Sequence, residues 1–548
     1  MRTTMSDKLP LEQFSEMVKA HPNKAYLHQP VDRKLNVYTW QQVNDMARRI
    51  AQSLLQMGIK KGDRVGILSK NCAEWFISDI AIMMAGMISV PIYPTANRKT
   101  IQYVINQSDC QAVFVGKLDE LEEADLGIED KIPRLLFPYP TIKGKFKWKM
   151  LLEHKPIKEI NKPAQEDTLS LAYTSGSTGN PKGVVLSYNN IASAASTTVE
   201  LMKVKNKDRL ISYLPLAHIT ERSLIENVSF YSGCQVFFVE NLETFIDDVK
   251  VAQPHLFISV PRLWNKFQAE ILNKVPNNKL QILLKTPLIG HFVAKKIRKG
   301  LGLNQTRCYG SGTAPISPNT LEWYRKIGMP ISEGWGMTES SGLSCSNFPF
   351  NKKMQGTIGK ALNCVEMKIE DNQEILIRGP AVFEEYYLQP QATKACFTNG
   401  WFHTGDMGTV NSEGVYQIIG RVKEQFKTSK GKYVAPAPIE NLLARNNKVE
   451  QVCVFGNGRK QPIALVVLSE SSTQNTVQIT QELEATLNIV NSQLESHQKL
   501  DNIIVLKDEW TIENGLLTPT MKIKRSEIEK HFAKYLDMKF QDSIIWEP

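Results

Sequence analysis

The sequence predicts an α/β protein: a large layered, mostly parallel α/β body on the N-terminal side, followed by a small α+β domain. Three observations carry this. Helical and strand periodicities alternate along the first half, the texture breaks once near Gly420, and about 125 residues follow the break, a domain-sized remainder.

Trp40 to Met57 is amphipathic at helical spacing, Arg64 to Leu68 is a β-rich run, and Cys72 to Gly86 returns to helix. Such an order implies βαβ units. Further strands are expected at Ile88 to Ile92, Ala112 to Val115, Arg209 to Tyr213, Gln235 to Val239 and Leu256 to Val260, each followed by a turn or helix signal. Near Gly420 the run GRVKEQFKTSKGKYVAP packs glycine, lysine and proline ahead of a helix that starts near Pro438. The boundary is set there, giving domains 1–421 and 422–548. The second is expected to hold strands at Val449 to Val454 and Pro462 to Leu468 and helices at Gln481 to Leu500 and Lys524 to Tyr535.

Composition narrows the function classes. With 548 residues and 42% apolar content, the chain has ample material for more than one core. Eight cysteines are scattered without a C-x-x-C pair, and H-E-x-x-H is missing, which argues against zinc, clusters and a disulfide framework and suits a reducing, cytoplasmic setting. The start, MRTTMSDKLPLEQF, lacks the apolar run of a signal peptide. The most apolar long stretch, Phe76 to Tyr93, is interrupted by Asp79 and Pro91 and reads as buried core. Net charge is +10, which favours anionic ligands or lipid surfaces, and no nucleic-acid motif accompanies it.

The chemistry concentrates in LAYTSGSTGNPKGVVLSYNN, residues 171 to 190, a strand entering a loop of Thr, Ser and Gly before Lys182. Gly176 and Gly179 let backbone N–H groups approach phosphate oxygens, Thr174, Ser175, Ser177 and Thr178 add hydroxyl donors, and Lys182 adds charge. It is not a Walker A loop, because Asn180 and Pro181 separate Gly179 from the lysine.

TSGSTGNPKG resembles the phosphate loop of the adenylate-forming superfamily, which comprises acyl-CoA synthetases, luciferases and adenylation domains. LPLAHITER (214 to 222), SGTAPIS (311 to 317), SEGWGMTESSG (332 to 342), GWFHTGDMG (400 to 408), GRVKEQFKTSKGK (420 to 432) and ENGLLTPTMKIKR (513 to 525) each resemble a family motif, in the family's order. LPLAHITER, VPRLW (260 to 264) and LTPTMKIKR are most similar to the long-chain fatty acyl-CoA synthetase branch.

The resemblance implies the adenylate-forming fold, ATP, Mg²⁺ and coenzyme A, and conversion of a fatty acid to its CoA thioester through an acyl adenylate. It sets Trp335 against adenine within Glu333, Gly334 and Gly336, Thr338 on the α-phosphate, Glu339 on Mg²⁺ with Thr178, and Gly312, Thr313, Ala314 and Pro315 across the adenine slot. Asp406 is suited to accept hydrogen bonds from both ribose hydroxyls, with Arg421 beside it. His218, just past a strand end, is implied to position the reacting carboxylate. Lys522 matches the mobile catalytic lysine, while Lys524 and Arg525 are read as solvated or as the start of the last helix. Lys423 matches the hinge, and Lys430, Gly431 and Lys432 are read as a contact for CoA or as a plain turn. Some relatives carry an aromatic gate on the acyl tunnel; at position 222, four after His218, this chain has arginine.

Two other readings stay open at this point: an adenylation enzyme that hands acyl groups to a carrier protein, and a non-catalytic nucleotide-binding scaffold. Thr286 to Leu303, part apolar and part lysine-rich, is read as an ordinary surface helix or as a peripheral contact for anionic lipid.

Overall fold

The computed structural model describes residues 8–547 except 175–179, 447, 470–475, 513, 519–521, 537, 539 and 541. The chain divides into two units. The first comprises Met1–Thr313, Trp323–Met367 and Ile377–Phe402, and the second Ala314–Glu322, Lys368–Leu376 and His403–Pro548.

The first unit is built on three sheets. The largest has seven strands in the order Phe146–Lys147, Arg134–Leu136, Cys110–Val115, Arg64–Leu68, Ile88–Ile92, Thr168–Thr174 and Lys182–Ser187. All its pairings are parallel except the last, a hairpin. A second sheet runs Arg209–Ser212, Gln235–Phe238, Ala25–Val31 and Lys34–Thr39, and a third runs Leu256–Ser259, Cys308–Ser311, Ile331–Met337, Gly342–Ser346 and Lys360–Ala361. These are the predicted mostly parallel layers, and the strands at Arg64–Leu68 and Ile88–Ile92 keep the bounds read from sequence.

Local chemistry sets the helix ends. Helix Trp40–Gln56 begins at a capping box: Gln42 N–H donates to Thr39 Oγ1 at 3.2 Å, and Thr39 N–H donates to Gln42 Oε1 at 2.8 Å. Helix Ala73–Met84 is followed by Gly86 in the left-handed region (φ 73°), where a side chain would be strained. Every residue of that helix is buried, including Glu74 and Asp79.

A charge inside such a helix requires a partner, and Asp79 has one. Arg222 Nη2 donates to both Asp79 carboxylate oxygens at 2.7 Å and to Ser89 Oγ at 2.8 Å, while its Nη1 donates to Ser170 Oγ. Ser89 and Ser170 face each other on neighbouring central strands. Arg222 opens a π-helical turn, Arg222–Asn227, and its Nε lies 3.4 Å from Glu226 Oε2. Burial, and then the Asp79 charge, push the Glu226 carboxyl far up, and Asp79, bonded through both oxygens, is the partner that balances the guanidinium. The arginine at the position where some relatives carry an aromatic gate is therefore a core ion-pair member, not a surface residue.

In the second unit a four-stranded sheet runs Val449–Phe455, Ile463–Leu468, Ile503–Leu506 and Ile544–Trp546. Strand Ile463–Leu468 is buried throughout because both faces are covered. Ala464, Val466 and Leu468 pack with Ile439, Ile479 and Leu483 on one side; Leu465 and Val467 pack with Trp510, Ile528 and Phe532 on the other. The long helix spans Thr476–Ser492, not Gln481 to Leu500. Its apolar stripe is Ile479, Leu483, Leu487 and Val490; beyond it Asn491 turns the chain back, donating to Leu500 O at 3.0 Å and accepting Leu500 N–H at 2.8 Å. Arg525 does start the next helix, Arg525–His531, but it is not solvated: it pairs with Glu440 at 2.8 Å and donates to Val454 O at 2.9 Å.

Among the described residues no helix is long and apolar enough to cross a membrane, and all eight cysteines are free.

The core pair gives a stability test. Asp79→Ala leaves the guanidinium buried and uncompensated and is expected to destabilise the first unit by about 3 to 5 kcal/mol. The double change Asp79→Leu with Arg222→Met removes both charges and should recover most of that loss; the urea midpoint of each variant is the readout.

Candidate active site

The phosphate-loop candidate is framed by the hairpin of strands Thr168–Thr174 and Lys182–Ser187, in which Thr174 and Lys182 are register partners. Ser175, Gly176, Ser177, Thr178 and Gly179 lie outside the described residues. The free edge of Lys182–Ser187 takes up the segment 385–387: Val185 N–H donates to Glu385 O at 3.1 Å and Tyr387 N–H donates to Gly183 O at 2.7 Å. This pairing delivers Tyr386 to the loop base. Its ring lies under Lys182, with Nζ 4.7 Å from the centroid, and its hydroxyl donates to Glu339 Oε1 at 2.9 Å. Glu339 is fixed from the backbone too, its carbonyl accepting Phe383 N–H at 2.8 Å. Burial, then the Glu339 charge, raise the Tyr386 phenol, which keeps it a donor.

Tyr386 thus links the predicted phosphate lysine to the predicted metal carboxylate. No motif singled it out. The signal available in FEEYYLQP was only a pair of tyrosines, and the strand pairing that places them spans about two hundred residues of sequence.

Next to Glu339, Thr338 opens the short 3₁₀ turn Thr338–Ser340 at the end of strand Ile331–Met337. That strand and Gly342–Ser346 approach so closely that a Cβ on Gly336 would stand 1.7 Å from Gly342 O, so only glycine fits. Gly312 lies against Gly334, where a Cβ would meet Gly334 O at 3.3 Å. The glycines open a cavity lined by Thr220, Leu224, Gly312, Thr313, Gly334, Trp335 and Gly336. Three segments distant in sequence therefore meet at one cavity: LPLAHITER, SGTAPIS and SEGWGMTESSG. Thr313 takes a left-handed conformation (φ 68°), uncommon for a β-branched residue. Ala314 and Pro315, which follow it, are exposed and count with the second unit.

Glu333 is partly buried below this cavity strand, accepts Gly356 N–H at 2.7 Å, and is pushed up to about 7 by burial. His218 caps the short helix Ile219–Glu221: its Nδ1 accepts Thr220 N–H at 3.2 Å, which puts the ring proton on Nε2. Glu221 is buried behind it, accepting Tyr213 N–H at 2.9 Å and an Asn71 amide hydrogen at 3.2 Å. Burial outweighs those bonds and raises its carboxyl to about 8.

In the second unit Asp406 and Arg421 are register partners on strands Trp401–Val410 and Tyr416–Arg421, and Arg421 Nε lies 2.8 Å from Asp406 Oδ1. The carboxylate is buried while the guanidinium is half exposed. Lys423 lies in the 3₁₀ turn Val422–Glu424. Lys430, Gly431 and Lys432 form the exposed turn of a hairpin, with Gly431 left-handed (φ 76°). Lys522 is exposed; its N–H donates to Thr518 Oγ1 at 3.0 Å, and Thr518 N–H donates to its carbonyl at 2.8 Å. Arg525, three residues on, is fixed by Glu440. Among the described residues no group of three or more His, Cys, Asp or Glu is arranged to hold a metal ion by itself.

Glu221 fixes a pH dependence. In the fold it keeps its proton until about pH 8, whereas the unfolded chain releases it in the ordinary carboxylate range, near 4.5. The folded state therefore binds more protons in between, and stability falls as pH rises through that window. Glu221→Gln should flatten the fall of the unfolding free energy between about pH 5 and pH 9 by a few kcal/mol, read by urea titration at each pH, leaving the parts due to other raised carboxyls such as Glu333.

The profile of the AMP-binding enzyme family matches residues 14–387, and that of the AMP-binding enzyme C-terminal domain matches residues 423–543. Fatty acyl-CoA synthetase A of Dictyostelium discoideum is 30% identical, over 92% of this chain and 86% of its own. Long-chain-fatty-acid–CoA ligase 5 of Rattus norvegicus is 31% identical, over 90% and 83%. Among solved structures, the anthranilate CoA ligase AuaEII in complex with anthranoyl-AMP superposes with a TM-score of 0.81 at 19% identity, covering 98% of this chain and 100% of that one. ATP-bound MatB from Rhodopseudomonas palustris gives 0.77 at 21% identity, over 96% and 99%. Fold, motif order and sequence agree with the resemblance read from the motifs, and the chain belongs to the AMP-binding enzyme family.

Proposed function

We propose that this chain is a long-chain fatty acid–CoA ligase: with ATP and Mg²⁺ it turns a fatty carboxylate into its acyl adenylate, releasing pyrophosphate, and then joins the acyl group to coenzyme A, releasing AMP. The observation that carries this reading is the single cavity where Thr220, Gly312 and Trp335, from three motifs, meet. The long-chain acyl group is supported by relatives bearing that name over more than four-fifths of both chains.

A carboxylate resists nucleophilic attack. Bonding its oxygen to the α-phosphorus, as the bond to pyrophosphate breaks, makes AMP the leaving group; a thiol then attacks the carbonyl carbon and loses its proton. In this reading Thr174, Ser175, Gly176, Ser177, Thr178, Gly179 and Lys182 hold the phosphates, and Thr338 meets the α-phosphate. Trp335 and Gly312 to Pro315 flank adenine, Asp406 and Arg421 take the ribose, and His218 positions the acid. A hard carboxylate at Glu339, steadied by Tyr386, suits Mg²⁺, with Thr178 beside it; the ion supplies charge neutralisation on the phosphates. Lys522 brings an ammonium to the charge that builds in the first step. Residues 1–421 would serve adenylation and acyl binding, and 422–548 would turn about Lys423 so that Lys430 and Gly431 meet CoA in the second. Free cysteines suit a reducing, cytoplasmic setting.

Fatty-acid-dependent pyrophosphate release, measured with and without CoA across chain lengths, tests the reading. Thioester formation is expected with CoA; no release with any fatty acid overturns it, and release without thioester moves the acceptor to a carrier protein. Lys522→Ala should lower adenylate formation by about 10²–10³-fold yet still convert supplied acyl adenylate and CoA to thioester. Tyr386→Phe keeps the ring under Lys182 and removes only the hydroxyl; the Mg²⁺ needed for half-maximal pyrophosphate release should rise, with the rate about tenfold lower.

A further inference from the structure

We propose that the helical hairpin Asn277–Lys285 and Ile289–Gly300 docks on the surface of a membrane containing anionic phospholipid. The two helices lie tightly together, since a Cβ on Gly290 would stand 2.4 Å from Leu284 O. Their connecting turn holds Leu288 at φ 64°, a conformation an aliphatic residue rarely takes, and presents its side chain outward. Leu288 is 79% exposed, Phe292 69%, Ile282 68% and Ile289 48%. Four large apolar side chains at one hairpin tip are a surface that water penalises.

The charge around them is one-sided. From Ile271 to Leu321 the sequence has no Asp or Glu, but has Lys274, Lys279, Lys285, Lys295, Lys296, Arg298, Lys299 and Arg307, eight cations against a whole-chain net of +10. Two of them are committed to the fold: Arg298 donates to Ile327 O at 2.6 Å, and Arg307 pairs with Asp208 at 2.6 Å. The six lysines enter no ion pair among the described residues, and those on the hairpin are exposed. Of the chain's 66 cations and 56 anions, this segment takes eight cations and no anion, so it departs from the near balance of the rest. Apolar knuckles ringed by flexible ammonium groups match a headgroup layer, with the hydrocarbon seated at the acyl boundary and the lysine stems reaching phosphates. The hairpin also lies in the crossover between strands Leu256–Ser259 and Cys308–Ser311, which both line the cavity through Ile258 and Gly310. A docked hairpin would hold that cavity near a lipid supply.

The test is flotation of the full chain with vesicles of phosphatidylcholine alone or mixed with phosphatidylserine, at about 0.1 M salt. Binding to the mixed vesicles and not to the neutral ones is expected. Lys285→Gln with Lys295→Gln and Lys296→Gln should weaken it on the order of a hundredfold, roughly fivefold per lysine. Leu288→Ser with Phe292→Ser should abolish it, while circular dichroism stays that of the parent chain. Equal binding to both vesicle types, or by parent and variants, overturns the proposal. So does absence of vesicle binding, including the case in which the hairpin is instead saturated by polyglutamate, which would assign it to an acidic protein surface.

Discussion

Everything in the first unit is arranged around a charge taken out of water. Arg222 reaches from a π-helical turn to Asp79 on a fully buried helix and to Ser89 and Ser170 on two adjacent central strands. One guanidinium thereby ties the buried helix and the π-helical turn to a pair of strands that are already hydrogen-bonded to each other. Its donors fork in a plane, so the elements have one mutual arrangement that satisfies it. The same turn carries Ser223, against which Gly342 packs, and Leu224, which lines the cavity. The cavity wall is thus held from behind by an interaction that a shift of the turn would break at considerable cost.

On that frame the site is a matter of backbone proximity. Glycines at 312, 334 and 336 let main chains approach where side chains would collide, and all three line the cavity. Lys182 and Glu339, of opposite charge, are kept apart and oriented by the single ring of Tyr386. An anionic ligand can engage the ammonium while the carboxylate keeps acceptor capacity for a cation. In the second unit Asp406 and Arg421 are held by strand register as well as by their ion pair, and Lys522 exchanges two hydrogen bonds with Thr518.

Much of this was legible in the sequence, for identifiable reasons. Strands such as Arg64–Leu68 and Ile88–Ile92 have the continuous apolar runs of buried parallel sheets, so their limits could be read directly. The glycine and hydroxyl motifs announced the cavity because few other structures need those residues in that order. What escaped was everything decided by distant partners. Tyr386 gained its place through a strand pairing with Val184, and Arg222 through an aspartate 143 positions away. Asp79 had been a usable clue: an acid within an apolar helix demands a buried cation. The end of helix Thr476–Ser492 was missed because Asn491 bonds Leu500 in preference to continuing the helix.

The sulfur chemistry of the chain has a practical corollary. Seven of its eight thiols are sealed within the packing, and the eighth, Cys396, is only half covered, donates to Thr393 O, and is raised to about 11 by burial. At neutral pH almost none of it is thiolate, the form that oxidants and alkylating agents attack. Among its thiols the molecule thus offers electrophiles a single reluctant target, close in sequence to the segment that carries Tyr386.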